Sequence, residues 1–130
     1  MNTELMYLTW VTILTGVLWL PYILNRMFAW GLMDTVGYPA SPKPQAVWAA
    51  RLMKAHSNAV ENLVVFAVLV LVAQAAGITG GAVASAAALY FWARVVHVLA
   101  YTLGLPWVRT LAFVAGWVAQ VMIAWQLVTA

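Results

Sequence analysis

The amino-acid sequence predicts an all-α fold, a bundle of four transmembrane helices, and two observations lead to it. Of the 130 residues, 66% are hydrophobic and only 7% are charged, whereas a soluble domain typically carries about 25% charged residues. The apolar residues also form four runs, each close to the roughly 20 residues that cross about 30 Å of hydrocarbon. Backbone polar groups in lipid must be satisfied within the segment, so the runs are expected to be helices.

We expect one four-span domain with helices at about residues 4–29, 45–76, 81–103 and 106–128. The first run lacks a basic start and a small-residue cleavage site, so we interpret it as a retained helix and not as a signal peptide. Pro21 lies inside this run and should kink it. Residues 31–44 are rich in proline and predict a loop, and the glycines of residues 77–81 predict a tight turn. Pro106 suits the first turn of helix four, where its missing N–H costs little.

The charged residues exclude some functions and indicate an orientation. The net charge of +3 rests on six dispersed basic residues, too few for a nucleic-acid-binding surface. The chain has no cysteine, which excludes a disulfide framework, a thiolate metal site and a cysteine nucleophile. Five basic residues lie near loops one and three: Arg26, Lys43, Arg51, Lys54 and Arg109. The positive-inside rule then predicts that these loops are cytoplasmic and both termini outside, and we expect a bacterial inner membrane.

Polar side chains interrupt the start of helix two. Ionisable groups at membrane depth are costly and therefore indicate function. Four of them follow helical spacing and share one face: Arg51, Lys54, Asn58 and Glu61. An alternative interpretation, basic side chains that snorkel to the membrane surface, suits Arg51 and Lys54 but not the deeper Asn58 and Glu61. His56 lies off this face, where a surface or packing role fits it better.

Helix three carries a polar stripe in steps of four, three and four residues: Tyr90, Arg94, His97 and Tyr101. An arginine in the middle of a span needs a partner, and Glu61 is the only carboxylate at comparable depth. Two interpretations have equal weight. One is a structural bridge between Arg94 and Glu61, and the other is a ligand-binding role for both residues.

Arg109 lies about one turn into helix four, after Pro106. A helix N-terminus disfavours a cation but favours an anion, because free N–H groups point at it. Arginine and helix terminus together would form a site for a carboxylate, a phosphate or a thiolate. The alternative is that Arg109 only anchors the helix at the lipid headgroups, and the residue by itself does not decide between the two.

Three segments, in this order and at these spacings, resemble the MAPEG family, the membrane-associated proteins in eicosanoid and glutathione metabolism: Arg51-Leu-Met-Lys54-Ala-His56-Ser-Asn58-Ala-Val-Glu61-Asn62, Arg94-Val-Val-His97-Val-Leu-Ala-Tyr101 and Pro106-Trp-Val-Arg109-Thr. The resemblance covers essentially the whole chain in length and number of spans. It implies a homotrimer of four-helix bundles that bind glutathione between neighbouring subunits, near the cytoplasmic face.

The resemblance also implies roles for single residues. Arg109 matches the arginine that stabilises the glutathione thiolate and is the catalytic candidate. The positions that match glutathione-binding residues, or face the same site, are Arg26, Arg51, Lys54, Asn58, Glu61, Arg94, His97 and Tyr101. The chain departs from the family at Lys54, where members carry arginine, at Thr110, where some have serine, and at Phe113, where some have tyrosine. No metal site is expected.

The function that this resemblance implies is a glutathione-dependent transferase or peroxidase that acts on a lipophilic electrophile or a lipid hydroperoxide. The lipophilic molecule would come from the bilayer, between helices one and four. Two other classes of protein are alternatives. A small multidrug transporter would carry a carboxylate in the middle of helix one, where this chain has only Glu4 at the start. A non-enzymatic scaffold would use the pairing of Arg94 with Glu61.

Overall fold

A computed structural model describes all 130 residues and confirms the all-helical, four-span fold. The helices are α1 (Thr3–Val17), α2 (Trp19–Trp30), α3 (Leu32–Val36), α4 (Val47–Ala75), α5 (Gly81–Leu103) and α6 (Pro106–Val128). Four spans are long and apolar enough to cross a membrane: α1 together with α2, then α4, α5 and α6. The short helix α3 lies in loop one, where the sequence predicted no helix.

The first span is interrupted at Leu18, where α1 ends and α2 begins. The N–H of Leu18 donates to the carbonyl of Thr15 (3.4 Å), three residues back rather than four. Pro21 explains the position of the break, because it has no N–H to give to the carbonyl of Val17 and its ring crowds that carbonyl. The proline predicted to kink helix one therefore interrupts the helix one turn before itself.

Loop one is tied back to α2 before α4 begins. The side-chain oxygen of Asn25 accepts from the backbone N–H of Ala46 (3.1 Å), and Gln45 Nε2 donates to the carbonyl of Tyr22 (2.8 Å). Because α2 holds Gln45 and Ala46 in this way, α4 begins at Val47 and not at residue 45. These contacts fix the end of α4 that carries the polar residues.

Helix α5 is the central helix of the bundle. It packs against α1, α4 and α6. Half of its most apolar 18-residue segment is buried, compared with 28% or less of the corresponding segment in the other three spans. On α5, the Tyr90 ring stacks on Phe66 of α4 with 3.9 Å between ring centroids. Buried alanines such as Ala59, Ala87 and Ala119 allow the helices to approach closely. Three residues of the polar stripe of α5, Tyr90, Arg94 and His97, are consequently buried in the bundle.

At the opposite end of the bundle from loop one, Glu4 ties α1 to the start of α5. The Glu4 side chain is 1% exposed, and its carboxylate accepts a hydrogen bond from the backbone N–H of Gly80, the residue that caps α5. Asn2 links the same end of α1 to the end of α4 by donating to Gln74 Oε1 (2.6 Å). A carboxylate at a helix N-terminus is favoured by the helix dipole, so Glu4 is a structural cap and not a free surface charge.

We expect Glu4→Leu to lower the free energy of unfolding by about 1–3 kcal/mol, because the N–H of Gly80 loses its acceptor. Glu4→Gln keeps an oxygen acceptor and should lose less. Thermal unfolding in one detergent, at one scan rate and followed by circular dichroism, ranks the variants. A Glu4→Leu protein as stable as wild type would contradict this role.

Candidate functional site

Three adjoining cavities open at the end of the bundle that carries loop one and the α5–α6 turn. Their volumes are about 300, 450 and 160 Å³, and Tyr101 lines all three. We call them together the polar groove. The sequence-predicted residues that line it are Arg51, Lys54, Asn58, Glu61, His97, Tyr101 and Arg109. Small-molecule sites occupy about 300–1,000 Å³, so the groove has the size of a ligand site.

Helix α4 supplies the four residues that share one face. Arg51 and Lys54 line the first cavity, and Lys54 reaches the second cavity together with Asn58 and Glu61. The side chains of Arg51, Lys54 and Glu61 lie on the surface of the single chain, whereas Asn58 is half-buried. The groove therefore presents two cations and one carboxylate from a single helix face.

Gly104 allows Arg51 to reach across the groove to the α5–α6 turn. This glycine ends α5 in the left-handed conformation, with φ of 76°, a backbone region that favours glycine. A Cβ atom at Gly104 would lie only 2.5 Å from Arg51 Nη1. The guanidinium of Arg51 thus rests against bare backbone, in the space that a side chain would fill.

Helix α6 brings Arg109 to the same turn. The Arg109 guanidinium lies 5.0 Å from the centre of the Tyr101 ring, a cation–π contact that holds both side chains in place. The first cavity is lined by Arg109, by Leu105, which caps α6, and by Pro106, the first residue of α6. A guanidinium and a helix N-terminus consequently face one cavity.

Arg94 does not pair with Glu61. Its side chain is 2% exposed, and Nη2 donates to Asn58 Oδ1 at 2.7 Å. The Arg94–Glu61 bridge, one of the two interpretations of this arginine, does not form, because Asn58 faces the bundle interior, whereas Glu61, three residues further along α4, lies on the surface. Arg94 does not line the polar groove but lies behind it, and Tyr90, one turn away, is also buried.

A chain of side-chain hydrogen bonds continues from Arg94 across three helices. Asn62 Nδ2 donates to Asn58 Oδ1 (3.2 Å) and to the Asn58 carbonyl (2.9 Å). Gln120 of α6 donates through Nε2 to the carbonyl of Asn62 (3.2 Å). Gln120 was not singled out in the sequence, although a buried glutamine in an apolar run is the same kind of signal as Asn58.

His97 lines the third cavity together with Asn58, Tyr101 and three α6 residues, Arg109, Thr110 and Phe113. The His97 ring packs edge-on against Tyr101, with 5.6 Å between centroids, and lies 6.3 Å from the Phe113 ring. The hydroxyl of Thr110 donates to the carbonyl of Pro106 (2.9 Å), so its proton is already used by the helix. Tyr101 is therefore the one hydroxyl in this cavity whose hydrogen remains available.

A model of the MAPEG family matches residues 7–129 of the 130-residue chain. The chain belongs to the MAPEG family. No curated protein and no solved structure matches it. Family membership makes this chain a membrane protein of the family that is named for glutathione and eicosanoid metabolism.

Arg26 of this MAPEG protein is not brought into the polar groove. Its Nε donates to Gln45 Oε1 (3.1 Å), Nη2 contacts the sulfur of Met53 (3.6 Å), and the guanidinium lies 4.8 Å from the centre of the Trp30 ring. Met53 itself lines the second cavity, so the Met53 side chain lies between Arg26 and the groove. A ligand-binding role for Arg26 stays a prediction.

Sequence reasoning missed two polar residues that line the polar groove, Tyr22 and Ser57. The hydroxyl of Tyr22 lies 2.8 Å from His56 Nδ1, which fits the packing role expected for His56. A tyrosine directly after Pro21 in an apolar run was an available signal. Ser57 carried none, because it lies between two more conspicuous polar residues.

We expect Gly104→Ala to destabilise this MAPEG protein by about 1 kcal/mol, the cost of a left-handed non-glycine residue, and to displace the Arg51 side chain. Gly16→Ala is the matched control, because a Cβ at Gly16 meets nothing within 4 Å and alanine favours a helix. Thermal unfolding of both variants makes the comparison. Equal stability of Gly104→Ala and wild type would contradict the steric account.

Proposed function

We propose that this MAPEG protein is a membrane-embedded, glutathione-dependent transferase or peroxidase that acts on a lipophilic electrophile or a lipid hydroperoxide. The observation that carries the proposal is the charge pattern of one groove: Arg51, Lys54 and Arg109 surround it with a single carboxylate, Glu61. Few small molecules combine two carboxylates, one ammonium and one thiol, but glutathione does.

The α4 residues match the charged ends of glutathione. Glu61 would pair with the ammonium group, while Arg51 and Lys54 would each hold a carboxylate. Lysine acts as a point charge and cannot grip a carboxylate through two parallel hydrogen bonds as arginine does. We therefore assign the better-defined carboxylate contact to Arg51, which already rests against Gly104.

Arg109 would activate the sulfur. A free thiol has a pKa near 8.5 and reacts mainly as the thiolate, and neighbouring cations or a helix N-terminus lower that pKa. Arg109 lies beside the start of α6 and over the Tyr101 ring, so charge, oriented N–H groups and a hydroxyl lie close together. Phe113 supplies no hydroxyl, and that of Thr110 is used, which leaves Arg109 and Tyr101 to stabilise the thiolate.

Both reactions start from the same thiolate. In conjugation, the sulfur forms a bond to an electrophilic carbon, and the displaced group leaves or a proton is added. In peroxide reduction, two glutathione molecules are oxidised to the disulfide while the hydroperoxide becomes an alcohol and water. The groove chemistry is shared by these reactions, so the choice between them depends on the lipophilic substrate.

We also propose that three copies assemble and that neighbouring copies close the groove. In one chain, Arg51, Lys54 and Glu61 lie on the surface of a spanning helix, where unpaired charges in lipid would be costly. Within one chain, α1 packs on α4 and α5, so an opening between the first and fourth spans would have to lie between copies. Loops one and three would be cytoplasmic, on the side where glutathione is abundant.

The competing functions have less support. The scaffold hypothesis relied on an Arg94–Glu61 bridge, and Arg94 bonds to Asn58 instead. The transporter hypothesis needs a carboxylate in the middle of the first span, but Glu4 lies at its start and caps α5.

We expect Arg109→Ala to raise the pKa of the bound glutathione thiol toward 8.5, because a cation that stabilises the thiolate is removed. The fraction of thiolate at pH 7 should fall, and the pH dependence of conjugation should shift to higher pH. Thiolate absorbance and initial rates, measured across pH in detergent, follow the change. Lys43→Ala, which removes the same charge from loop one, is the control and should match wild type.

A wild-type protein that binds no glutathione would overturn the proposed function. Arg109→Ala with unchanged thiolate absorbance would overturn only the role of Arg109, because binding would then be intact while activation had another source.

We expect native mass spectrometry of the detergent-purified protein to find three chains in one particle. Glutathione should remain bound to this trimer and should be lost when the particle dissociates, because neighbouring copies close the groove. A monomer that still binds glutathione with full affinity would contradict the shared site.

A further inference from the structure

The contact between Arg94 and Asn58 determines which way the Asn58 side chain points. A guanidinium has five N–H donors and no acceptor, so the Asn58 atom 2.7 Å from Arg94 Nη2 must be the amide oxygen. Asn62 Nδ2 approaches the same oxygen (3.2 Å). Amide orientation is normally an assignment from hydrogen bonding, and here a donor-only partner fixes it.

The same geometry leaves the amide nitrogen of Asn58 for the groove. Asn58 lines the second and third cavities, and the hydrogen bonds of its side chain to protein end on Oδ1. The nitrogen carries two N–H donors and accepts nothing. A ligand atom that forms a hydrogen bond with this nitrogen must therefore be an acceptor, such as a carboxylate or peptide carbonyl oxygen.

We propose that Arg94 is a positioning residue that never contacts the ligand and instead locks the Asn58 amide so that its N–H groups point into the polar groove. Glutathione as the ligand rests on the proposed function. Its carboxylate and peptide carbonyl oxygens are the acceptors that this amide selects. The buried charge of Arg94 makes the lock strong, because hydrogen bonds to charged groups are stronger than those between neutral groups.

Thermal unfolding of the purified protein without ligand tests the lock itself. Asn58→Leu should lower the midpoint sharply, since it leaves a buried guanidinium without its acceptor. The double variant Asn58→Leu with Arg94→Leu should lose less stability than the two single losses combined. Asn58→Asp, which keeps an oxygen for Arg94, should unfold near the wild-type temperature. Strictly additive losses would overturn the proposal.

Glutathione titration of the same variants tests what the lock presents. Asn58→Asp has no amide donor, so we expect its affinity to fall at least about tenfold, equivalent to one lost hydrogen bond, at nearly wild-type stability. Arg94→Leu should lower the glutathione affinity of the wild-type protein. In the Asn58→Leu variant, the same substitution should cause no further loss of affinity. Thr15→Val, a buried polar deletion in α1 that leaves the Arg94–Asn58 contact and the groove intact, should bind as wild type does.

The outcomes separate the two proposals. Wild-type affinity in Asn58→Asp, or equal losses from Arg94→Leu in both backgrounds, would overturn the positioning role while glutathione binding stands. If wild type binds no glutathione, the proposed function fails, and the thermal measurements alone then decide whether Arg94 locks Asn58.

Discussion

A guanidinium inside an apolar bundle must have an acceptor, and the end of the bundle that carries loop one is arranged around this constraint. Arg94 is buried on the central helix α5 and donates to Asn58 of α4. From Asn58 the hydrogen bonds continue through Asn62 to Gln120 of α6. Removing one partner of a buried charge costs several kcal/mol, so this chain of polar contacts holds three helices in one relative rotation. That rotation decides which side chains face the groove.

Once α4, α5 and α6 are fixed in this way, their outward polar residues surround a shared space. Arg51 lies against the bare backbone at Gly104, and Arg109 lies over the Tyr101 ring. The conformational freedom of these long side chains is reduced before any ligand arrives, which lowers the entropy cost of binding. Pro106 contributes at the same turn, because it starts α6 and so directs a helix N-terminus at the first cavity.

Much of the fold was predictable from the sequence, because hydropathy determines the spans and helical spacing determines which residues share a face. The partner of Arg94 was not predictable. Asn58 and Glu61 are three residues apart and share a face of α4, and only the rotation of that helix against α5 decides which of them points inward. The contacts of Arg26 were not predictable for a similar reason, since the path of loop one brings Gln45 to it. The capping role of Glu4 was also not predictable, because it depends on a contact with Gly80, 76 residues further along the chain.

The most direct test of the account is a structure of the protein in lipid nanodiscs with saturating glutathione, determined by electron cryo-microscopy. The account predicts ligand density in the polar groove between neighbouring copies, with the sulfur beside the Arg109 guanidinium and the Asn58 amide donating to a ligand oxygen. Arg94 should be behind that amide and out of contact with the ligand. Density elsewhere on the protein, a groove filled by lipid, or an Arg94 that contacts glutathione or Glu61 directly would contradict it.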